Sequence, residues 1–446
     1  MSDGTTGAGE AAVQFDRGVL LENSNDPNGA RSAYQRAVAL DPGQVEALAS
    51  LAWLDAQAGD SRSARTWGER ALALDRLNVL ARMALAFAEL QDEQLDAAGN
   101  RLVQLYADPA LTAVNRSIVL GLIGDLNDAQ GDAARAFKAY DAANAQLKAL
   151  YAAFEGPGRE TALGHARRLI DWFQTANSKP WREPLVARAK AGDPKVHMFL
   201  VGFPRSGTTL LETVLAGHPE VVTLEEKDSL AQAAHAYLSS NEGLERLASI
   251  STGEALRQRD AYWSVVRGFG VEPRRRVFID KMPLATVLLP MISQIFPNAR
   301  VLFAVRDPRD VVLSCFRRRF GMNAAMYELL TLDGAAAYYD AVMSLADAYR
   351  ALLPIPLHIV RYESLIEDFE GTARAACDFA GLDWIPAMAD IAATARARGI
   401  TTPSAAQLAR GLNRDGQGTW RRYREQMVPV LPVLEPWVKR FGYDSN

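Results

Sequence analysis

The chain is short of the residues that build staples and metal cages: its 446 residues include two cysteines, Cys315 and Cys377, and five histidines. Two thiols make no disulfide framework, and no Cys/His cluster has metal-ligand spacing, so a reducing compartment and no structural zinc are expected. Long hydrophobic runs are missing as well. No stretch approaches the roughly 18 apolar residues of a membrane helix, and the opening MSDGTTGAGEAA lacks the basic start and apolar core of a signal peptide. The expectation is a cytoplasmic protein without a membrane span. Neither sign of charge dominates: 49 Lys and Arg face 53 Asp and Glu, a net charge of −4. That balance offers no footprint for nucleic acid. What is present is an ordinary hydrophobic content of 49%, on a chain long enough for two to three domains and an enzyme-sized core.

Aligned with itself, the N-terminal third is periodic. ARSAYQRAVALDP, Ala30 to Pro42, matches ARTWGERALALDR, Ala64 to Arg76, at an offset of 34 residues. LDAQAGDSRSA from Leu54 is echoed by LNDAQGDAARA from Leu126, with Gly59 and Gly131 ending one helix and Asp60 and Asp132 opening the next. Between them, Ala81 to Tyr106 forms a degenerate copy. The period and small residues resemble the tetratricopeptide repeat over residues 11–151. In that family helical hairpins bury their apolar faces by stacking on one another. The resemblance implies either a concave surface for a peptide or partner protein or a helical array that flanks and steadies the next domain.

Residues 152–194, punctuated by Pro157, Pro180, Pro184 and Pro194, read as a helical linker. Beyond it the pattern changes. VHMFLVG, RRVFID, RVLFAVRD and LHIVRY are short apolar runs rich in strand formers, separated by amphipathic stretches at 208–216, 286–295 and 309–320. Buried strands alternating with helices predict a parallel sheet covered on both faces, with ligands at the carboxyl ends of its strands. The fold class expected is therefore α plus α/β: an all-helical array, then a P-loop-like parallel-sheet domain over 195–446.

The loop FLVGFPRSGTT spaces Gly202 and Gly207 as in a phosphate-cradling P-loop, but Thr208 stands where the lysine of that motif belongs. Backbone N–H groups and a helix start still make an anion site, to which Thr208 and Thr209 add hydroxyls. Without the lysine that meets β and γ phosphates, triphosphate hydrolysis is disfavoured. A single 5′-phosphate met by Arg205 fits better.

PRSGTT followed by HPE and EE resembles the 5′-phosphosulfate loop of sulfotransferases that use 3′-phosphoadenosine-5′-phosphosulfate (PAPS). VRDPRDVVLSCF carries Arg306 and Ser314 eight positions apart, as in that family's 3′-phosphate site. The likeness spans 196–443. It is nearer to bacterial members with an N-terminal tetratricopeptide array, whose characteristic region FGMNAAMYELLTLDGAAAYYDAVM from Phe320 resembles, and more distant to tyrosylprotein sulfotransferases.

The resemblance implies PAPS as co-substrate, no metal, and a hydroxyl-bearing acceptor, with a peptide or protein presented by the repeats as one choice and a small phenol, glycan or lipid as the other. It implies Glu226, 21 residues after Arg205, as catalytic base, with burial raising its basicity toward a phenol. Lys281 and Arg205 would be the cations at the leaving phosphate. Donor-binding roles would fall to Arg205, Ser206, Gly207, Thr208, Thr209, Arg306, Ser314, Tyr362 and Ser404. Thr419 departs from the basic residue many relatives carry before the tryptophan of the C-terminal GxW element, leaving Arg421 or Arg422 to compensate. The five histidines read as structural, and Arg317 to Arg319 as a solvated basic face. A P-loop kinase and a non-enzymatic repeat scaffold are the competing readings.

Overall fold

The computed structural model describes residues 3–24, 26–176, 181, 192–398 and 416–444. The chain divides into two compact units: 1–152 with 317–321 and 395–411, and 153–316 with 322–394 and 412–446.

Among the described residues of 1–152, the first unit has eight α-helices: α1 (Asp3–Asn23), α2 (Pro27–Leu40), α3 (Val45–Ala58), α4 (Ser61–Leu74), α5 (Val79–Gln91), α6 (Leu95–Tyr106), α7 (Ala113–Ala129) and α8 (Ala133–Leu150). α2, α4 and α6 begin at 27, 61 and 95, so the 34-residue period runs through the copy that looks degenerate in sequence; α8 starts 38 residues after α6. The junctions follow from side-chain chemistry. Asp26, Asp60 and Asp132 accept hydrogen bonds from Gly29, Ser63 and Arg135 N–H at the starts of α2, α4 and α8. Gly59 and Gly131 turn the chain at φ of 85° and 83°, where a Cβ would be strained. Packing repeats too: the Tyr34 ring lies on Gly18 and the Tyr140 ring on Gly124, and the phenols donate to Glu22 and Asp125 at 2.8 and 2.9 Å.

The basic run Arg317 to Arg319 is not the solvated face its sequence suggests. Arg317 donates to Asp128 and, at 3.2 Å, to Tyr140 Oη, while Arg319 donates to Asp125 Oδ2 at 2.8 Å. Gly121 leaves the space that the Arg319 guanidinium fills. Burial pushes the Asp125 carboxyl up, but Arg319, Arg318 and Arg317 outweigh it and hold it below the ordinary range. The acidic partners lie about 190 residues away in sequence, beyond the reach of any local pattern.

The second unit holds a five-stranded, all-parallel sheet: β1 (Val196–Val201), β2 (Val221–Glu225), β3 (Val277–Lys281), β4 (Arg300–Val305) and β5 (Leu357–Arg361), in the order β2-β3-β1-β4-β5. Four of these strands follow the apolar runs seen in sequence. β2 does not: it is the edge strand next to β3, and Val222 and Thr223 are only half-buried, so its signal is diluted. Part of the stretch read as a linker packs within this unit. Its helix α9 (Ala162–Thr175) packs on the long helix Leu332–Leu352, with Phe173 edge-on to Tyr349 at 5.1 Å. Within 286–295, a 3₁₀ turn at Pro283–Leu288 precedes an α-helix at Leu289–Ile295, and the helix expected to reach 320 ends at Arg317.

Candidate active site

Parallel register fixes where the loops emerge. Leu200 of β1 and Glu225 of β2 both pair with Lys281 of β3, and Val305 of β4 pairs with Arg361 of β5. Five strands therefore end at one edge of the sheet, and each delivers a residue singled out in the sequence. Arg205 follows β1, Glu226 follows β2, Lys281 ends β3, Arg306 follows β4 and Tyr362 follows β5.

The loop after β1 is sterically exacting. At Gly202, with φ of 155°, a Cβ would stand 2.5 Å from the Ala304 carbonyl oxygen. At Gly207, with φ of 93°, it would stand 2.7 Å from the Tyr362 ring. Arg205 itself sits at φ 70°, a conformation non-glycine residues adopt at a cost of about 1–3 kcal/mol and that clusters at functional sites. The next helix, α10 (Thr208–Ala216), starts here, so the positive end of its dipole meets the loop where the side chains of Ser206, Thr208 and Thr209 are buried.

Around β4 and β5 the expected 3′-phosphate residues gather on the same loop. Arg205 Nε donates to Ser314 Oγ at 3.0 Å, Ser314 being held on helix α11 (Pro308–Arg317). Arg306 donates to the Arg205 carbonyl at 3.2 Å and to the carbonyl of Gly416, and its guanidinium lies 4.8 Å above the Tyr362 ring. Arg306 is buried, yet its Nε has no hydrogen-bond partner among the described residues. An orphaned guanidinium donor in a glycine-lined cradle is a fit for a phosphate oxygen. Ser404 lies outside the described residues.

The GxW element hangs from a residue that sequence reading passed over. Asp310 accepts from the N–H groups of Gly418 and Trp420 at 2.7 and 2.9 Å. Arg309 lies over the Trp420 ring at 4.1 Å and Arg421 at 5.4 Å. Its signal was the second acid of DPRD, one turn beyond Arg306. Thr419 Oγ1 turns back to Gly416 O.

At the other side of the loop, Lys281 is fully buried and meets three carboxylates. Glu226 Oε1 is 2.7 Å from its Nζ, Glu225 Oε1 3.4 Å and Glu212 Oε2 3.5 Å. Burial pulls the ammonium down, but Glu212, Glu226 and Glu225 together carry its pKa above the ordinary lysine value. Glu226, expected to be buried, is not: a third of its side chain is exposed, and its backbone sits at φ 47° with its N–H bonded to the Lys281 carbonyl at 2.8 Å. The strained turn at the end of an edge strand lifts the carboxylate toward solvent, while its partner stays inside.

Behind Lys281, Asp280 accepts from Ser229 Oγ at 2.7 Å and Tyr262 Oη at 2.8 Å. Burial raises the Asp280 carboxyl to about 6. Because Tyr262 gives its one hydroxyl proton to Asp280, the His197 Nε2 at 3.0 Å must be the donor to Tyr262 Oη. His197 is caged by Phe199, Tyr262, Trp263, Phe278 and Phe296, and burial lowers its pKa to about 3. His218 accepts from Glu220 N–H in a turn, His165 pairs with Glu160 and His358 stacks on Phe379.

Residues 198–386, which contain most of this site, match the family described as the sulfotransferase family. The chain is similar to an uncharacterized protein of Aquifex aeolicus (strain VF5), 26% identical over 57% of this chain but only 35% of that protein's length. It is also similar to protein-tyrosine sulfotransferase A of Caenorhabditis elegans, 24% identical over 56% of this chain and 67% of the relative. Protein-tyrosine sulfotransferase 1 of Danio rerio is 26% identical over 56% of this chain and 72% of its own length. The stretch similar to the sulfotransferase family is thus the one that forms the strand ends where Arg205, Glu226, Lys281 and Arg306 converge.

Proposed function

We propose that the protein transfers a sulfuryl group from 3′-phosphoadenosine-5′-phosphosulfate to an acceptor hydroxyl. One observation carries the reading: a lysine-free phosphate loop whose arginine, Arg205, is bonded to Ser314 and covered by Arg306, with the Lys281–Glu226 pair at the neighbouring strand ends. In this scheme the loop and the start of α10 hold the 5′-phosphosulfate, and Arg306, Ser314 and Tyr362 hold the 3′-phosphate and base. The acceptor oxygen forms a new bond to sulfur as the bond from sulfur to the 5′-phosphate oxygen breaks. Glu226 takes the acceptor's proton, and Lys281 with Arg205 hydrogen-bonds the departing phosphate oxygen, leaving 3′-phosphoadenosine-5′-phosphate. The charge that develops is met by protein cations, so the scheme needs no metal.

Two relatives are named for protein tyrosine, which makes a tyrosine hydroxyl the first acceptor to offer. The helical hairpins of the first unit, read as tetratricopeptide repeats, would then present the peptide. The test is transfer of radiolabelled sulfate from PAPS into native cell-extract protein without added metal. Wild type should label acid-precipitable protein, and Glu226→Gln should be slower by about 10²–10⁴-fold, as for loss of a general base. Label confined to small molecules would move the acceptor to a phenol, glycan or lipid. Absence of both transfer and 3′-phosphoadenosine-5′-phosphate binding would overturn the reading.

A further inference from the structure

We propose that Glu212 is a positioning residue for this transfer: a buried counter-ion, carried by the helix that follows the phosphate loop, which keeps the Lys281 ammonium at the donor while Glu226 turns to the acceptor. The inference rests on the sulfotransferase reading and deepens it.

Glu212 lies in the second turn of α10, a helix whose Leu211, Val214 and Leu215 are buried too, and none of its side chain is exposed. A carboxylate in such surroundings is costly unless a buried partner compensates it. Its partner is Lys281, also fully buried, 3.5 Å away. An apolar residue would pack this face of the helix more cheaply, and the ion pair with Lys281 gives the acid a task at the site.

The three acids around Lys281 are not equivalent. Glu226 is nearest at 2.7 Å, follows the last residue of an edge strand and is one-third exposed. It can swing outward, and as a base it must, because the oxygen that holds the Lys281 ammonium has to turn to the acceptor hydroxyl. Its departure would leave the buried Lys281 cation with weaker compensation. Glu225, the last residue of β2, is 3.4 Å away and partly exposed. Asp280 is engaged by Ser229 and Tyr262. Glu212 is the acid fixed in a helix and sealed from water, so it stays with the lysine through the whole exchange. It sits on the same helix whose first turn forms the anion site, which ties the lysine's position to that of the phosphosulfate.

The test compares full-length wild type with Glu212→Gln and Glu212→Asp, using radiolabelled PAPS with 2-naphthol and cell-extract protein as probe acceptors. Binding of 3′-phosphoadenosine-5′-phosphate and the melting temperature are measured alongside. The glutamine keeps the volume and removes the charge. It should lower the maximal transfer rate about 10–100-fold, by analogy with the loss seen when the outer partner of a metal ligand is removed, with KM for PAPS and nucleotide affinity within about twofold. Aspartate should restore part of the rate. An unchanged rate in Glu212→Gln overturns the inference. So does a loss that tracks melting temperature and nucleotide affinity and is not relieved by aspartate, since that is the signature of a packing role. If wild type neither binds the nucleotide nor transfers label, the sulfotransferase reading itself fails, an outcome separate from both.

Discussion

The site is assembled from residues placed where they are individually unfavourable. Arg205 and Glu226 occupy left-handed backbone conformations, and Lys281 and Glu212 are buried charges. Asp280 belongs to the same set and gives a measurable pH dependence. Its folded-state pKa, about 6, is raised from 3.8, burial being the main cause. Raised in the fold, the group contributes most to stability when protonated in both states, below about pH 4. That contribution is lost as pH climbs through about 6, because ionisation is then opposed only in the folded chain. A shift of this size corresponds to about 3 kcal/mol. Asp280→Asn removes the titration, so the stability of wild type relative to the variant should fall between pH 4 and pH 6.5 and then level off. Denaturant unfolding at a series of pH values checks this; a difference that stays constant with pH would contradict the assignment.

At the scale of elements, packing in the hairpins turns on a few small residues. A methyl group on Gly124 would run into the Tyr140 ring, whose phenol is bonded to Asp125 and whose face carries the Arg317 guanidinium. Gly124→Ala should therefore cost about 1–3 kcal/mol, the usual penalty of overpacking, although alanine is intrinsically the better helix former. Gly99→Ala, where the nearest atom is an ordinary 3.4 Å away at Leu126, is the control and should be neutral or stabilising. The same elements show what could be read in advance. Helix junctions at Gly59–Asp60 and Gly131–Asp132 were legible because cap chemistry is local. Four strands were legible because they are buried runs of strand formers, and Arg205, Lys281 and Arg306 because each closes or follows one. β2 escaped because an edge strand with half-buried Val222 and Thr223 lacks that contrast. Glu212 escaped for a different reason: an acid in a helix ordinarily faces water, and only the lysine of another strand reveals that this one does not. Arg317 to Arg319 were misread because their partners belong to a distant helix.

At the scale of the whole molecule, the second unit gathers its chemistry at one sheet edge, and the first is a series of stacked hairpins completed by a piece of chain from far downstream. Residues 317–321 are part of the first unit, and their arginines answer Asp125 and Asp128. The boundary between the units is therefore not a single cut in the gene. A fragment of residues 1–152 would carry Asp125, Asp128 and Tyr140 without the cations that cover them, and should unfold at lower urea than the same fragment supplemented with a synthetic peptide of residues 313–323. Equal midpoints would mean the arginines add nothing to the array. Recombination faces the same arithmetic as the experimenter: hairpins moved to another chain keep their covered acids only if the recipient supplies a matching basic strap, which residues 317–321 supply here.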